Sequence, residues 1–321
     1  MTNLVKEKVI VLIGPTAVGK TKTSIELAKR FGGEIISGDS MQIYRKMDIG
    51  TAKITNDEME GVPHHLIDIK NPEESFSVAE FQQLVRKKIS EIHSRGKVPL
   101  IVGGTGLYIQ SVLYDYQFTE TPGDEKYRTE LEAELEKHGS EWLHHKLTEV
   151  DPSSAGNIHP NNTRRVIRAL EIFHCTGKTM SEFQENQTHE LQYDVALIGL
   201  TMDRELLYKR INYRVDLMMN QGLLDEVKGL FDEGVKDVQS VQAIGYKELY
   251  DYFDGTISLV QAIENLKQNS RRYAKRQLTW FRNKMEVAWF DMSEESKHAK
   301  IIEDISEFIA GKLQLKSNKL M

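Results

Sequence analysis

The chain has 321 residues, room for one large domain or two modest ones. Its 40% apolar content is ample for a core, yet no apolar run approaches the ~20 residues that a membrane-spanning helix needs. A formal net charge of −6 excludes a generally basic protein that coats nucleic acid, and the single cysteine, Cys175, excludes an intramolecular disulfide or a cysteine-rich zinc site. Together with a polar, mixed-charge start that is not a signal peptide, these features fit a reducing cytoplasm.

Residues 8–13 (KVIVLI) read as a buried parallel strand, a short β-branched run that ends in Gly-Pro. Then comes Gly14-Pro15-Thr16-Ala17-Val18-Gly19-Lys20-Thr21, which matches G-x-x-x-x-G-K-[ST] and opens a helix over about residues 20–30. Glycines let successive N–H groups curl toward one point, the helix aims its positive dipole end there, and Lys20 adds a full charge. Such a cradle holds a di- or triphosphate, and the Thr21 hydroxyl is placed for Mg²⁺ or the phosphate. The motif alone does not specify ATP.

Residues 34–37 form a second expected strand, closed by Gly38-Asp39. A carboxylate at a strand end of this class faces the ligand crevice, where Asp39 is placed to take a proton from an acceptor; the alternative is an ordinary Gly-Asp-Ser turn. Ser40, Met41, Gln42 and Tyr44 follow at once and are placed to grip that acceptor. Residues 65–69 suggest a third short strand, 77–94 a helix, and 98–102 another buried strand ending in Gly103-Gly104-Thr105-Gly106. That strand end lacks the Asp that helps hold Mg²⁺ in NTP-hydrolysing motors. The glycines there read as a close backbone approach to the ligand, or as a plain turn.

From residue 124 to 183 the pattern is almost wholly helical, with an acidic helix over 124–138, a turn at Asp151-Pro152-Ser153 and a helix over 163–175. Residues 194–200 return to strand character and rejoin the sheet. Helices over 204–220, 223–232, 243–253 and 259–284 follow, then a late strand over 287–290, a terminal helix and a fraying tail from Lys316. Residues 267–284 carry Lys267, Arg271, Arg272, Lys275, Arg276, Arg282 and Lys284 with no acidic residue. This stripe, with Tyr273, Trp280 and Phe281 interleaved, is either a contact for RNA phosphates or the solvated face of a long helix with its aromatics in the core. His64-His65 and His144-His145 are not metal pairs, Cys175 is a packed residue, and the Met218-Met219 pair belongs to the core. The architecture expected is α/β: a P-loop NTPase-like parallel sheet with flanking helices (residues 1–118 and 191–321) and an inserted helical subdomain (119–190).

Several segments beyond the P-loop add up in order and spacing: GPTAVGKT at 14–21, IISGDSMQIYR at 35–45, MDIGTAK at 47–53, PHHLID at 63–68, VGGTGLY at 102–108, RALEIF at 168–173 and KRQLTWFR at 275–282. Across roughly residues 8–290 the chain resembles the bacterial tRNA dimethylallyltransferase family, also called tRNA isopentenyltransferases. The resemblance implies that dimethylallyl diphosphate gives its five-carbon group to the exocyclic amine of adenine 37 in tRNA, with Mg²⁺ assisting. It makes Asp39 the general base, with Thr21 and Thr16 near the diphosphate and the reacting centre. Lys20 and the amides of the loop from Gly14 to Gly19 hold the diphosphate, and Arg214 contacts phosphate. Asp39, Ser40, Met41, Gln42 and Thr105 touch the target nucleotide and its neighbours. Asn161, Asn162, Thr163, Arg164 and Arg165 touch tRNA, with Arg128 a further candidate; relatives often carry Gln-Arg where this chain has Arg164-Arg165. The expected partners are a tRNA anticodon stem-loop, clamped by the helical insert, and dimethylallyl diphosphate; the expected state is a monomer without membrane contact. A small-molecule kinase, a prenyltransferase of free adenine nucleotides and a non-catalytic P-loop RNA-binding module are the competing readings.

Overall fold

Lys8–Ile13 forms β1, and its alternate side chains are buried on both faces: Ile10 and Leu12 on one, Val9, Val11 and Ile13 on the other. The structure, a computed structural model, describes residues 6–114, 116, 118, 123–185 and 190–318. β1 sits inside a six-stranded parallel sheet with β2 (Gly33–Ser37), β3 (His64–His65), β4 (Val98–Gly103), β5 (Asp194–Thr201) and β6 (Ala288–Asp291), in the order β3-β2-β4-β1-β5-β6. Ile13 pairs with Gly103 on one side and Gly199 on the other. The segments after β1, β4 and β2 therefore open at the same end of the sheet, where such folds place ligands.

The helices α1 (Lys20–Phe31) and α13 (His298–Leu313) pack on the face carrying Ile10, Leu12, Ala196 and Ile198. α2 (Val78–Ser94), capped by the Ser77 side chain on the Glu80 N–H, packs against β2, β4 and α3 (Gly106–Leu113). β5 lies beside β1, so the chain does return to the sheet after its helical stretch. Then follow α9 (Arg204–Asn220), α10 (Leu223–Asp232), α11 (Tyr246–Phe253) and the 26-residue α12 (Leu259–Lys284).

Two elements are shorter than their sequences suggest. The strand expected over 65–69 stops at His65, because Leu66 and Asp68 adopt left-handed backbone angles (φ 62 and 55) that end an extended run. The helix expected over 243–253 begins only at Tyr246: Gly245 sits at φ 105, and a short 3-10 turn, Ser240–Gln242, precedes it. α3 has no counterpart in the sequence reading; it is eight residues long and starts on a glycine.

The chain divides into two units, Met1–Leu113 with Leu191–Met321, and Tyr114–Glu190. The boundary expected at 118/119 has residue 119 outside the described residues, as is the end of the tail, 319–321. The second unit is helical: α4 (Glu125–His138), α5 (Ser140–Val150), α6 (Pro152–Asn157), α7 (Thr163–Thr176) and α8 (Met180–Glu185). Leu131, Leu143, Leu147, Val166 and Leu170 make its core. The turn expected at 151–153 is the cap and first turn of α6, with Asp151 accepting from the Ser154 N–H and Pro152 in the first helical position, where its missing N–H does no harm. Among the described residues no helix is long and apolar enough to cross a membrane.

Candidate active site

The loop after β1 is shaped by its glycines. A Cβ on Gly14 would lie 2.8 Å from the Leu200 carbonyl oxygen, and Gly19 holds φ 107 with open space where a side chain would go. α1 then starts with no capping side chain and no acidic residue in its first turn, whereas Ser77, Asp203 and Ser258 cap α2, α9 and α12. Among the described residues the N–H groups of Ala17, Val18 and Gly19 have no hydrogen-bond partner. The positive end of α1 is thus left open for an anion. The Lys20 ammonium folds back onto the Gly14 and Pro15 carbonyls at 3.0 and 2.8 Å. Burial, reinforced by the Arg214 charge and partly offset by Asp39, lowers its pKa to about 8. Thr21 is exposed beside it, on the cavity that the loop borders.

Two long-range side chains fix this loop. The Gln277 amide, on α12, accepts from the Thr16 N–H at 3.0 Å and donates to the Gly104 carbonyl at 3.1 Å, tying together the segments after β1 and β4. Arg214, on α9, reaches the Thr16 hydroxyl at 3.4 Å. Its pKa is lowered by burial, against which Glu58 and Asp39 pull upward. Asp39 sits just past β2. Its Oδ1 accepts from the Met41 N–H at 2.8 Å and more weakly from the Gln42 N–H at 3.4 Å, while Oδ2 has no hydrogen bond among the described residues. The turn therefore occupies one oxygen and orients the carboxylate, with the other unbonded among the described residues.

Two cavities meet at these residues. The larger, about 540 Å³, is bordered by Gly19, Lys20, Thr21, Gln42, Glu58, Gly103, Gly104 and Tyr213. The smaller, about 320 Å³, is bordered by Ser40, Met41, Gly50, Gln242 and Ile244, by the apolar Ile211, Val215, Met218 and Leu266, and by the cationic Lys247 and Arg276. Thr16, Asp39, Thr51, Ala52, Arg214 and Tyr273 border both. One cavity offers an anion cradle, the other a mixed wall suited to a base, and a carboxylate and an arginine stand at their junction. Asp39, Glu58 and Glu60 border the larger cavity with the Thr21 hydroxyl, but among the described residues no cluster of three His, Cys, Asp or Glu forms a metal cage. That donor set fits Mg²⁺ held by the Thr21 hydroxyl and by the ligand's own phosphates, the usual habit of that ion.

A family model described as IPP transferase matches residues 42–284. The chain belongs to the IPP transferase family. It is similar to the tRNA dimethylallyltransferase of Bacillus cereus (strain Q1), at 66% identity covering 99% of each chain. Among solved structures it is similar to the full-length tRNA isopentenylpyrophosphate transferase of Bacillus halodurans, at 59% identity, 96% and 97% coverage and a TM-score of 0.74. It is also similar to a eukaryotic dimethylallyltransferase acting on tRNA, at 32% identity, 98% and 81% coverage and a TM-score of 0.82. The parallel, helix-flanked P-loop sheet is the fold of this family.

Of the residues that the sequence singles out in this IPP transferase, Thr16, Ala17, Gly19, Lys20, Thr21, Asp39, Ser40, Met41, Gln42 and Arg214 are gathered around the two cavities, whereas Gly14 and Pro15 border neither and meet the site only through their carbonyls on Lys20, and Val18 is buried beside the loop. Thr105 borders neither; its hydroxyl is buried near Tyr273 without a well-formed bond. Arg128 and the stretch from Asn161 to Arg165 lie in the helical unit. There Arg128 is held on the buried Glu171 carboxylate at 2.7 Å, which Arg168 also binds; burial pushes the Glu171 pKa up, but the hydrogen bonds and charges of the two arginines outweigh it and hold it below the usual carboxylate value. Asn161 accepts from the Ser140 hydroxyl at 3.3 Å, Asn162 precedes α7 without a side-chain cap, Thr163 opens that helix, and Arg164 and Arg165 are exposed with no ion pair among the described residues.

The basic stripe divides along α12. Lys267 is paired with Asp216 at 2.7 Å and Phe281 is fully buried, whereas Tyr273 borders both cavities, a placement that burial marks by raising its pKa to about 12. Met218, expected in the core, is half-buried on the smaller cavity's wall. The histidine pairs serve separate partners: His64 and His65 bond the Val62 carbonyl and the Glu34 carboxylate, and His144 bonds the Ala155 and Ile158 carbonyls. Gln277 is the main residue that sequence reading missed. Its signal was a polar side chain at helical spacing between Tyr273 and Phe281, on the face of α12 that is otherwise buried.

Proposed function

We infer that this chain is a tRNA dimethylallyltransferase, which moves a dimethylallyl group onto tRNA. The donor we propose is dimethylallyl diphosphate and the acceptor is the exocyclic amine of adenine 37, in the anticodon stem-loop. The observation that carries the reading is the shared wall: Asp39, Thr16 and Arg214 border both the phosphate cradle and the neighbouring cavity. A diphosphate on the open N–H groups of the P-loop, with Lys20 and Arg214 against it, departs with its charge already matched by fixed donors. Magnesium, when bound through Thr21 and the phosphates, neutralises more of that charge. The carbon–oxygen bond to the diphosphate breaks, a carbon–nitrogen bond forms to the amine, and Asp39 Oδ2 takes the amine proton. An adenine amine is a weak nucleophile, so most of the gain comes from the leaving group and from alignment across the junction.

A base stacked in a loop hides its amine, so the nucleotide is extruded into the smaller cavity, past Ser40 and Met41. The helical unit offers Arg164 and Arg165, exposed at the start of α7, as phosphate contacts for the RNA. A monomer in the cytoplasm, where tRNA is found, suffices for this scheme. The test incubates the protein with Mg²⁺, dimethylallyl diphosphate and unmodified tRNA, then looks for isopentenyladenosine by nucleoside mass spectrometry. The product is expected, and Asp39→Ala is expected to slow turnover by about two orders of magnitude while sparing tRNA affinity. Absence of product with folded protein would defeat the reading.

A further inference from the structure

The mechanism above leaves unexplained a half-buried carboxylate that gathers four donors. Glu226, on α10, accepts three consecutive backbone N–H groups: Asp48 at 2.9 Å and Ile49 at 2.8 Å on Oε2, and Gly50 at 3.0 Å on Oε1. Oε1 also accepts the Tyr246 hydroxyl at 2.6 Å. The fit is close: a Cβ on Gly50 would lie 2.5 to 2.8 Å from the Tyr246 ring and hydroxyl, so this approach requires glycine. Tyr246 is kept protonated, and so a donor, by its burial and by the carboxylate beside it.

The segment held in this way leads to the chemistry. Gly50, Thr51 and Ala52 border the smaller cavity, and Thr51 and Ala52 border both. The Thr51 and Ala52 carbonyls accept from the Gln42 side-chain amide at 3.2 and 3.3 Å, and the Gln42 N–H reaches Asp39 Oδ1. The phosphate cradle is supported elsewhere, by Gln277 and Arg214. We propose that Glu226 is a positioning residue: by holding the N–H groups of residues 48–50 it sets the acceptor-side wall and, through Gln42, the aim of the Asp39 carboxylate. This proposal rests on Asp39 being the base of the reaction inferred above.

Glu226→Gln is a sharp probe because each carboxylate oxygen faces two donors. Whichever way the amide turns, its NH₂ group meets two of them, although size and shape are conserved. The experiment is a single-turnover assay with full-length enzyme in excess over unmodified tRNA, where the amplitude reports the fraction of competent sites and the rate reports each site. It is joined by a direct measurement of inorganic diphosphate binding. The expected result is an unchanged amplitude, a rate lower by about 10- to 100-fold, and an unchanged diphosphate affinity. A wild-type rate with reduced amplitude would show a folding role only and overturn the proposal, as would a parallel loss of diphosphate affinity.

If Glu226→Gln does not fold, Tyr246→Phe carries the test, since it removes one donor of four. There a rate a few-fold lower at full amplitude supports positioning and a wild-type rate refutes it. Glu233→Gln, on an exposed carboxylate that pairs with Lys46, should leave the rate unchanged. Asp39→Asn separates the two ideas. An inactive Asp39→Asn beside a wild-type Glu226→Gln sinks the positioning role alone, whereas an Asp39→Asn enzyme at full rate removes the base and the positioning role with it.

Discussion

Gly14–Gly19 and Gly103–Gly106 follow the neighbouring strands β1 and β4, and in sequence the two stretches look alike. Their surroundings differ. Around the first, Gly19 has no atom within 4 Å of where a side chain would begin, and three N–H groups point to no protein acceptor among the described residues. Around the second, a Cβ on Gly103 would lie 2.4 Å from the Gly38 carbonyl, one on Gly104 2.0 Å from the Gln277 amide, and one on Gly106 2.3 Å from the Trp280 ring. At Gly19 the first loop uses glycine to leave open space, whereas its Gly14, where a Cβ would lie 2.8 Å from the Leu200 carbonyl, resembles the second stretch. The second uses it to let protein groups close in, although Gly103 and Gly104 still border the larger cavity. The lesson is that a glycine run signals close approach, and only the neighbours say what approaches.

The contrast can be broken by substitution. The largest effect is expected for Gly103→Ala, whose methyl group must displace backbone: a loss of about 3 kcal/mol in denaturant unfolding. Gly19→Ala meets nothing but its own backbone strain, so about 1–2 kcal/mol is expected there; equal losses at both positions would erase the distinction. Lys20→Ala should leave the melting temperature nearly unchanged and weaken diphosphate binding by about 100-fold. The pH dependence sharpens this. Burial brings the Lys20 pKa down to about 8, so the free cradle loses its lysine charge as pH rises through that value. Anion affinity should fall above about pH 8, and calorimetry in buffers of different ionisation enthalpy should detect proton uptake on binding there. Between about pH 8 and the ordinary lysine value of 10.5 the unfolded chain holds more protons, so this one group makes the free fold more stable as pH rises across that window.

The same division between enclosed and open groups runs through the helical unit. Arg128 is committed to the buried Glu171, whereas Arg165 is exposed without an ion pair among the described residues. Arg165→Ala should weaken tRNA binding a few-fold and reduce the slope of log affinity against log salt by about 1. Arg128→Ala should show first in thermal stability, because it strips the buried carboxylate of one of its two arginines.

Much of this was legible before any coordinates. The strand, loop and helix from Lys8 to Phe31 were plain because local signals agreed: a β-branched run, a glycine turn and a helical period. Asp39 was legible as a strand-end carboxylate, but whether it served a turn or a reaction was not; in the structure Oδ1 is bonded within the turn, and Oδ2 has no hydrogen bond among the described residues. Glu226 was invisible in sequence, since a glutamate in the first turn of a helix ordinarily reads as dipole complement. Gln277 was hidden inside a stripe of positive charge, and Tyr273, read there as an RNA contact or a core aromatic, instead borders both cavities. Long-range polar contacts of this kind leave no local pattern, because the partner of Gln277 is 261 residues away.

That separation has a consequence for how the enzyme is made. The loop after β1 is synthesised 261 residues ahead of the amide that braces Thr16. Through all that stretch of synthesis the nascent loop lacks its brace, and its finished shape waits on α12.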